Sequence, residues 1–140
     1  MKKIILLLLL TLSVFATEYK VIYNLQTGKD KKFNTAILKG IPALQAHYKA
    51  EGDSLKVVVI ISNKSYKYFM KNEQLISQDK FRLPLKMLAQ SGVRFEMCSV
   101  GMKKNKIKKE ILYKYVHPVF NRTASLIGWQ NRGFAVIDIF

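Results

Sequence analysis

Apolar and polar positions along this chain fall into two alternating periods, and the period changes mark its elements. Over Glu18–Leu25, Tyr19, Val21 and Tyr23 alternate with Lys20, Ile22 and Asn24, the two-residue period of a strand, and Gln26-Thr27-Gly28 with the charges behind it reads as a loop. From Lys31 to Tyr48, Phe33, Ile37, Ile41, Leu44 and Tyr48 recur at three- and four-residue steps, the stripe of an amphipathic helix. Gly40 and Pro42 interrupt that stripe. Proline removes one helical hydrogen bond and clashes with the preceding turn, so the pattern predicts a kink over residues 38–42.

Gly52-Asp53-Ser54 is a turn signal, and Leu55–Ile61 is almost wholly β-branched, as in a strand buried on both faces of a parallel sheet. Ser62–Ser77 has no clean period; Tyr66, Tyr68, Phe69 and Met70 cluster in this loop-like segment. Asp79–Gln90 places Phe81, Leu85, Leu88 and Ala89 on one face, a helix expected to start late so that Pro84 falls early in it, and Ser91-Gly92 ends it. Val93, Phe95 and Met97 alternate with Arg94 and Glu96 in a strand that runs to Cys98, and Met102–Ile107 is helix-permissive. Lys114–Phe120 is another strand candidate. Asn121 suits the cap of a helix over Arg122–Arg132, Gly133 suits its end, and Phe134–Phe140 is the last strand. Strands separated by helices predict an α/β fold: a three-layer αβα sandwich on a mainly parallel sheet of about five strands.

The first residues change the picture of where the chain works. Met-Lys-Lys, the apolar run Ile4–Leu10 and the small residue Ala16 read as a secretory signal peptide over residues 1–16, with the mature chain starting at Thr17. The run is shorter than the roughly 20 apolar residues of a membrane span, and no later stretch qualifies. Residues 17–140 suit a single domain, periplasmic or secreted. The formal charge of +15 is spread as lysines from Lys20 to Lys114, dense only over 103–109, and no nucleic-acid-reading signature accompanies it. A solvated basic surface that attracts small anions or acidic partners is expected rather than a nucleic-acid site.

Cys98 is the one cysteine, and it falls at a strand-to-helix turn. In open α/β sheets ligands bind beyond the carboxyl ends of the strands. A thiol there, with backbone N–H groups at the turn, Ser99 beside it and Lys103 and Lys104 one turn on, can be held as a nucleophilic thiolate. The alternative is a buried, inert thiol, since free cysteines are often small core hydrophobes. His117, before Pro118 at a strand end, is a candidate partner for the thiol at the same sheet edge. His47 reads as a helix-surface residue. No spacing of His, Cys, Asp or Glu suggests a metal site, no glycine loop suggests a nucleotide, and no cofactor is expected. Asn121-Arg-Thr123 fits a glycosylation sequon, but Asn121 reads first as a helix cap.

In order, Lys20–Leu25, the helix around Asn34, Val57–Ile61, Gly92-Val-Arg-Phe-Glu-Met-Cys98 with Met102-Lys103 and Ile107, and Leu126-Ile-Gly-Trp-Gln130 with Gly133-Phe-Ala-Val-Ile137 resemble the DsrE family, in particular its small exported members. The resemblance implies a flavodoxin-like sandwich assembled as a homo-oligomer, trimer or hexamer, and a role in sulfur metabolism. It implies that Cys98 carries sulfane sulfur as a persulfide, between a small sulfur donor and a partner thiol protein, as a sulfurtransferase or sulfur carrier. Exported members carry Asn-Thr two and three residues after the cysteine and His-Gly after the second strand; this chain has Val100-Gly101 and Ser62-Asn63-Lys64 there. Two other readings stand beside the relay: a non-catalytic oligomeric binding module, and a thiol redox sensor. The Tyr66–Met70 cluster, if exposed, would mark the interface between copies.

Overall fold

The computed structural model describes residues 15–71 and 76–140, with residues 76–79 described by backbone alone, so the predicted signal peptide lies almost wholly outside the described residues. Strand β1 (Glu18–Leu25) leads into a continuous helical stretch: α1 (Asp30–Phe33), a π-helical segment over Asn34–Lys39, and α2 (Gly40–Ala50). There follow β2 (Ser54–Ile61), a 3-10 stretch over Asn63–Phe69, α3 (Ile76–Gln90), β3 (Arg94–Cys98) and α4 (Ser99–Lys104). A 3-10 turn at Lys109–Ile111, β4 (Val116–Val119), α5 (Arg122–Gln130) and β5 (Ala135–Ile139) complete it. The five strands form one sheet in the order β4-β3-β2-β1-β5, every neighbouring pair parallel.

This order fixes the layers. The chain steps from β1 to β4 in one direction, then returns across the sheet to β5. Because parallel crossovers are right-handed, the early helices lie on one face and α5 on the other. Burial agrees: Val21, Tyr23, Leu25, Val57, Val59, Ile61, Phe95 and Met97 pack with Phe33, Ile37, Ile41, Phe69, Phe81 and Leu85 in a large core. The opposite positions Ile22, Val58 and Ile60 pack with Phe134 against Leu126 and Trp129 in a small one.

Where the pattern predicts an interruption over residues 38–42 the helix widens, and Gly40 N–H donates to the carbonyl of Thr35; widening the turns before Pro42 relieves the clash a straight α-helix would impose. Two local expectations are corrected. Helix α3 starts earlier than expected, which puts Pro84 in its interior. That proline costs about 3 kcal/mol of helical preference, and burial of Phe81, Leu85 and Leu88 offsets it. The aromatic cluster is core rather than surface: Tyr66, Tyr68 and Phe69 are buried, the Phe33 ring stacks on Tyr68 at 3.9 Å, and Tyr68 Oη donates to Asp30 Oδ1 at 2.8 Å. It therefore offers no face for another copy. Among the described residues no helix is long and apolar enough to cross a membrane.

Candidate functional site at the carboxyl edge of the sheet

Cys98 closes β3 and caps α4, which begins at Ser99, three residues before the helix-permissive stretch suggested. It is 8% exposed, and its Sγ accepts a hydrogen bond from Gly101 N–H at 3.5 Å. Along β3, Phe95 and Met97 enter the large core. Arg94, Glu96 and Cys98 take the alternate positions, toward α5.

Tyr66, which periodicity could not place, is brought to the sulfur by the 3-10 stretch after β2. Its hydroxyl packs against Gly101, the residue whose N–H bonds to the Cys98 Sγ. The approach is close because residue 101 has no side chain: a Cβ added to Gly101 would stand 1.6 Å from Tyr66 Oη. The phenol therefore occupies the space that a larger residue would fill. Burial raises the Tyr66 pKa above the usual phenol value and Cys98 adds to this, against a smaller opposing pull from the Asn63 backbone and Arg122. The hydroxyl is accordingly protonated at neutral pH and available to donate.

The other predicted residues are spread more widely. Ser99 is half-buried in the first position of α4. Lys103 and Lys104 are exposed in its last turn, away from the capped end. Lys104 lines a neighbouring cleft of about 810 Å³ together with Lys29, Asn63, Lys64, Tyr66 and Gly101. His117 is exposed and pairs with Glu96, while Cys98 pairs with Val119, so the register sets the histidine two pairs back from the edge. Among the described residues no group of His, Cys, Asp and Glu could hold a metal.

Glu96 is the second buried polar residue that the sequence left unremarked. It is 3% exposed; Arg94 Nε donates to Oε1 at 2.6 Å, Trp129 Nε1 to Oε2 at 3.1 Å, and the Ser125 hydroxyl also donates to Oε2. Burial alone would raise its pKa, but these three donors and the charge of Arg94 hold the carboxyl below the ordinary value. It ties β3 to α5 and borders a cavity of about 500 Å³ with Phe120, Asn121 and Arg132. Strand alternation alone reads such a residue as solvent-facing; the signal that could have found it is the Ser and Trp one turn apart in α5.

A parallel, doubly covered α/β sheet with one cysteine at its carboxyl edge, held by a backbone N–H beside a buried phenol, defines the class. The chain belongs to the DsrE/DsrF-like family, whose model matches residues 22–139, from β1 through β5. The family relates in general to sulfur metabolism. Among solved structures the chain is similar to one described as a protein of unknown function, MTH1491, from Methanobacterium thermoautotrophicum, with a TM-score of 0.70 and 18% identity over 86% of this chain and 98% of that one. At that identity the likeness is one of fold. No curated protein matches the chain.

Proposed function

We propose that this protein carries sulfane sulfur on Cys98. The Cys98 thiolate attacks the outer sulfur of a donor persulfide or polysulfide, a new S–S bond forms at Cys98, the donor's S–S bond breaks, and its electron pair leaves on the donor thiolate. The reverse exchange with an acceptor thiolate releases the sulfur, so no net oxidation is needed. The observation that carries the reading is the place of the sulfur: Cys98 closes β3 at the carboxyl edge of the sheet, caps α4 and accepts the Gly101 N–H, with the Tyr66 hydroxyl packed against Gly101. Family membership supplies the metabolic context. The reading includes export through residues 1–16 and self-association, which amino-terminal sequencing of the mature protein and light scattering test in turn.

Incubating the protein with inorganic polysulfide, followed by mass spectrometry under non-reducing conditions, is the direct test. A gain of one sulfur on Cys98, lost on treatment with a dithiol and absent from Cys98→Ser, is the expected result. An unmodified Cys98 at saturating polysulfide sinks it. The burial of Cys98 favours a second reading, a binding or assembly module with an inert thiol; labelling only after denaturation would select that one.

A further inference from the structure

A thiol that is 8% exposed must be both held and reached. Observations from three elements converge on it. Tyr66 Oη fills the space above Gly101, whose N–H bonds to the Cys98 Sγ. Ser62 is 4% exposed, and its hydroxyl has no hydrogen-bond partner, although cap geometry turns it toward the Ser65 N–H. It stands one residue past Ile61↔Met97, the last register pair of β2 and β3, which sets it beside Cys98 on the same face of the sheet. Finally, Tyr66 and Gly101 are also the wall of the 810 Å³ cleft, whose lining holds Lys29, Lys64 and Lys104 together with Phe140, whose main-chain oxygen accepts from Lys32 Nζ at 2.7 Å.

We propose that Tyr66 is the positioning residue of this site: its hydroxyl donates to the Cys98 sulfur, and its ring separates that sulfur from a basic cleft through which a small anionic sulfur donor approaches. The assignment rests on the reading of Cys98 as the sulfur acceptor. A phenol suits the role because it donates a hydrogen bond without bringing a second full charge into a buried place. Glycine at position 101 is what admits it, since any Cβ would evict the hydroxyl. The three lysines raise the local concentration of anions and neutralise the charge that a donor polysulfide brings. When a persulfide forms, the added outer sulfur needs a place and a donor, and the unpartnered Ser62 hydroxyl supplies one beside it.

The test compares wild type, Tyr66→Phe and Gly101→Ala by the rate at which Cys98 is alkylated with neutral iodoacetamide and anionic iodoacetate across neutral pH, at low and high salt. Tyr66→Phe keeps the ring and deletes the donor, so labelling at neutral pH is expected to slow by about tenfold, the worth of a hydrogen bond to a charged group. Its pH profile moves to higher pH while the melting temperature stays close to wild type. Gly101→Ala displaces the phenol and is expected to expose the sulfur with the same displaced profile. Iodoacetate is expected to gain on iodoacetamide at low salt, relative to a free small thiol, and to lose that gain in Lys104→Ala. An unchanged pH profile in Tyr66→Phe, or no iodoacetate advantage, overturns the proposal. If wild type takes up no sulfur from polysulfide but Tyr66→Phe shifts the profile, the carrier reading falls and the Tyr66 contact stands. If wild type loads sulfur and Tyr66→Phe loads it at the same rate, the assignment of Tyr66 falls alone.

Discussion

The two faces of the sheet are built on opposite principles. Toward α1–α3 the buried strand side chains are apolar apart from the Tyr23 hydroxyl, and the packing is aromatic: Phe33 meets Tyr68 face to face and Phe69 and Phe81 edge to face. Toward α5 the apolar cluster is small, the same strands carry Asn24, Glu96 and Cys98, and Ser62 follows β2 directly, all four buried. A buried polar group is costly unless it is bonded. The α5 face supplies such partners: Glu96 has three donors, and Asn24 Nδ2 donates to Asp138 Oδ1 at 2.5 Å. One face supplies the folding free energy, which leaves the other able to hold groups that do chemistry.

The contrast is broken most severely on the apolar side. Phe33→Ala removes a fully buried ring at the centre of the aromatic packing and is expected to cost about 3–5 kcal/mol in denaturant unfolding. Glu96→Ala strands two donors of α5, but Arg94 is half-exposed and can rehydrate, so about 2 kcal/mol is expected. A larger loss for Glu96→Ala than for Phe33→Ala would reverse the ranking of the faces. Acid separates them further. Glu96 is held below the ordinary carboxyl value in the folded state, so its contribution is complete above the unfolded value near 4.5 and is lost as pH falls through the lower folded value. The acid limb of stability measured by urea unfolding should therefore be shallower in Glu96→Gln than in wild type. Asp30 adds an acid-sensitive part of the same sign, because the Tyr68 hydroxyl, joined by Lys67 and Lys80, lowers its pKa against the opposing effect of burial. The smallest effect is expected at the thiol. Serine at position 98 can still accept the Gly101 N–H as a helix cap, so Cys98→Ser should change stability by less than about 1 kcal/mol while abolishing sulfur loading. A large drop in melting temperature would instead mark Cys98 as a packing residue.

Much of this was readable in the residues. The β-branched run of β2, the alternation ending at Cys98 and the Asn121 cap, whose Oδ1 accepts from Ala124 N–H at 2.7 Å, all lie where period and cap chemistry put them. What was not legible has physical causes. Tyr66 sits in a 3-10 run, whose three-residue repeat leaves no amphipathic stripe, so its burial and its contact with Cys98 are set by tertiary packing. Glu96 alternates with apolar residues as a solvent-facing residue would, and only the donors on α5 reveal that it is inside. Pro84 argues locally for a late helix start; three buried side chains on α3 overrule it. Val100-Gly101, where the resemblance expects Asn-Thr, gave no sign of the Tyr66 hydroxyl beside the thiol, because nothing in a glycine announces that a distant side chain packs on it.

The position of β1, one strand in from the β5 edge, has a consequence for how the molecule assembles. One of its edges pairs with β2, but the other waits for β5, and the Asn24–Asp138 contact spans 114 positions along the chain. Such a long closure is slow, and until it happens Val21–Leu25 presents an open row of backbone donors and acceptors. During synthesis the most apolar strand pair is thus formed before its flank is covered, so the partly made chain is a template for pairing with other chains. Its solubility at that stage depends on how soon β5 docks, and a variant that delays docking should aggregate during refolding even where the finished fold is as stable as wild type.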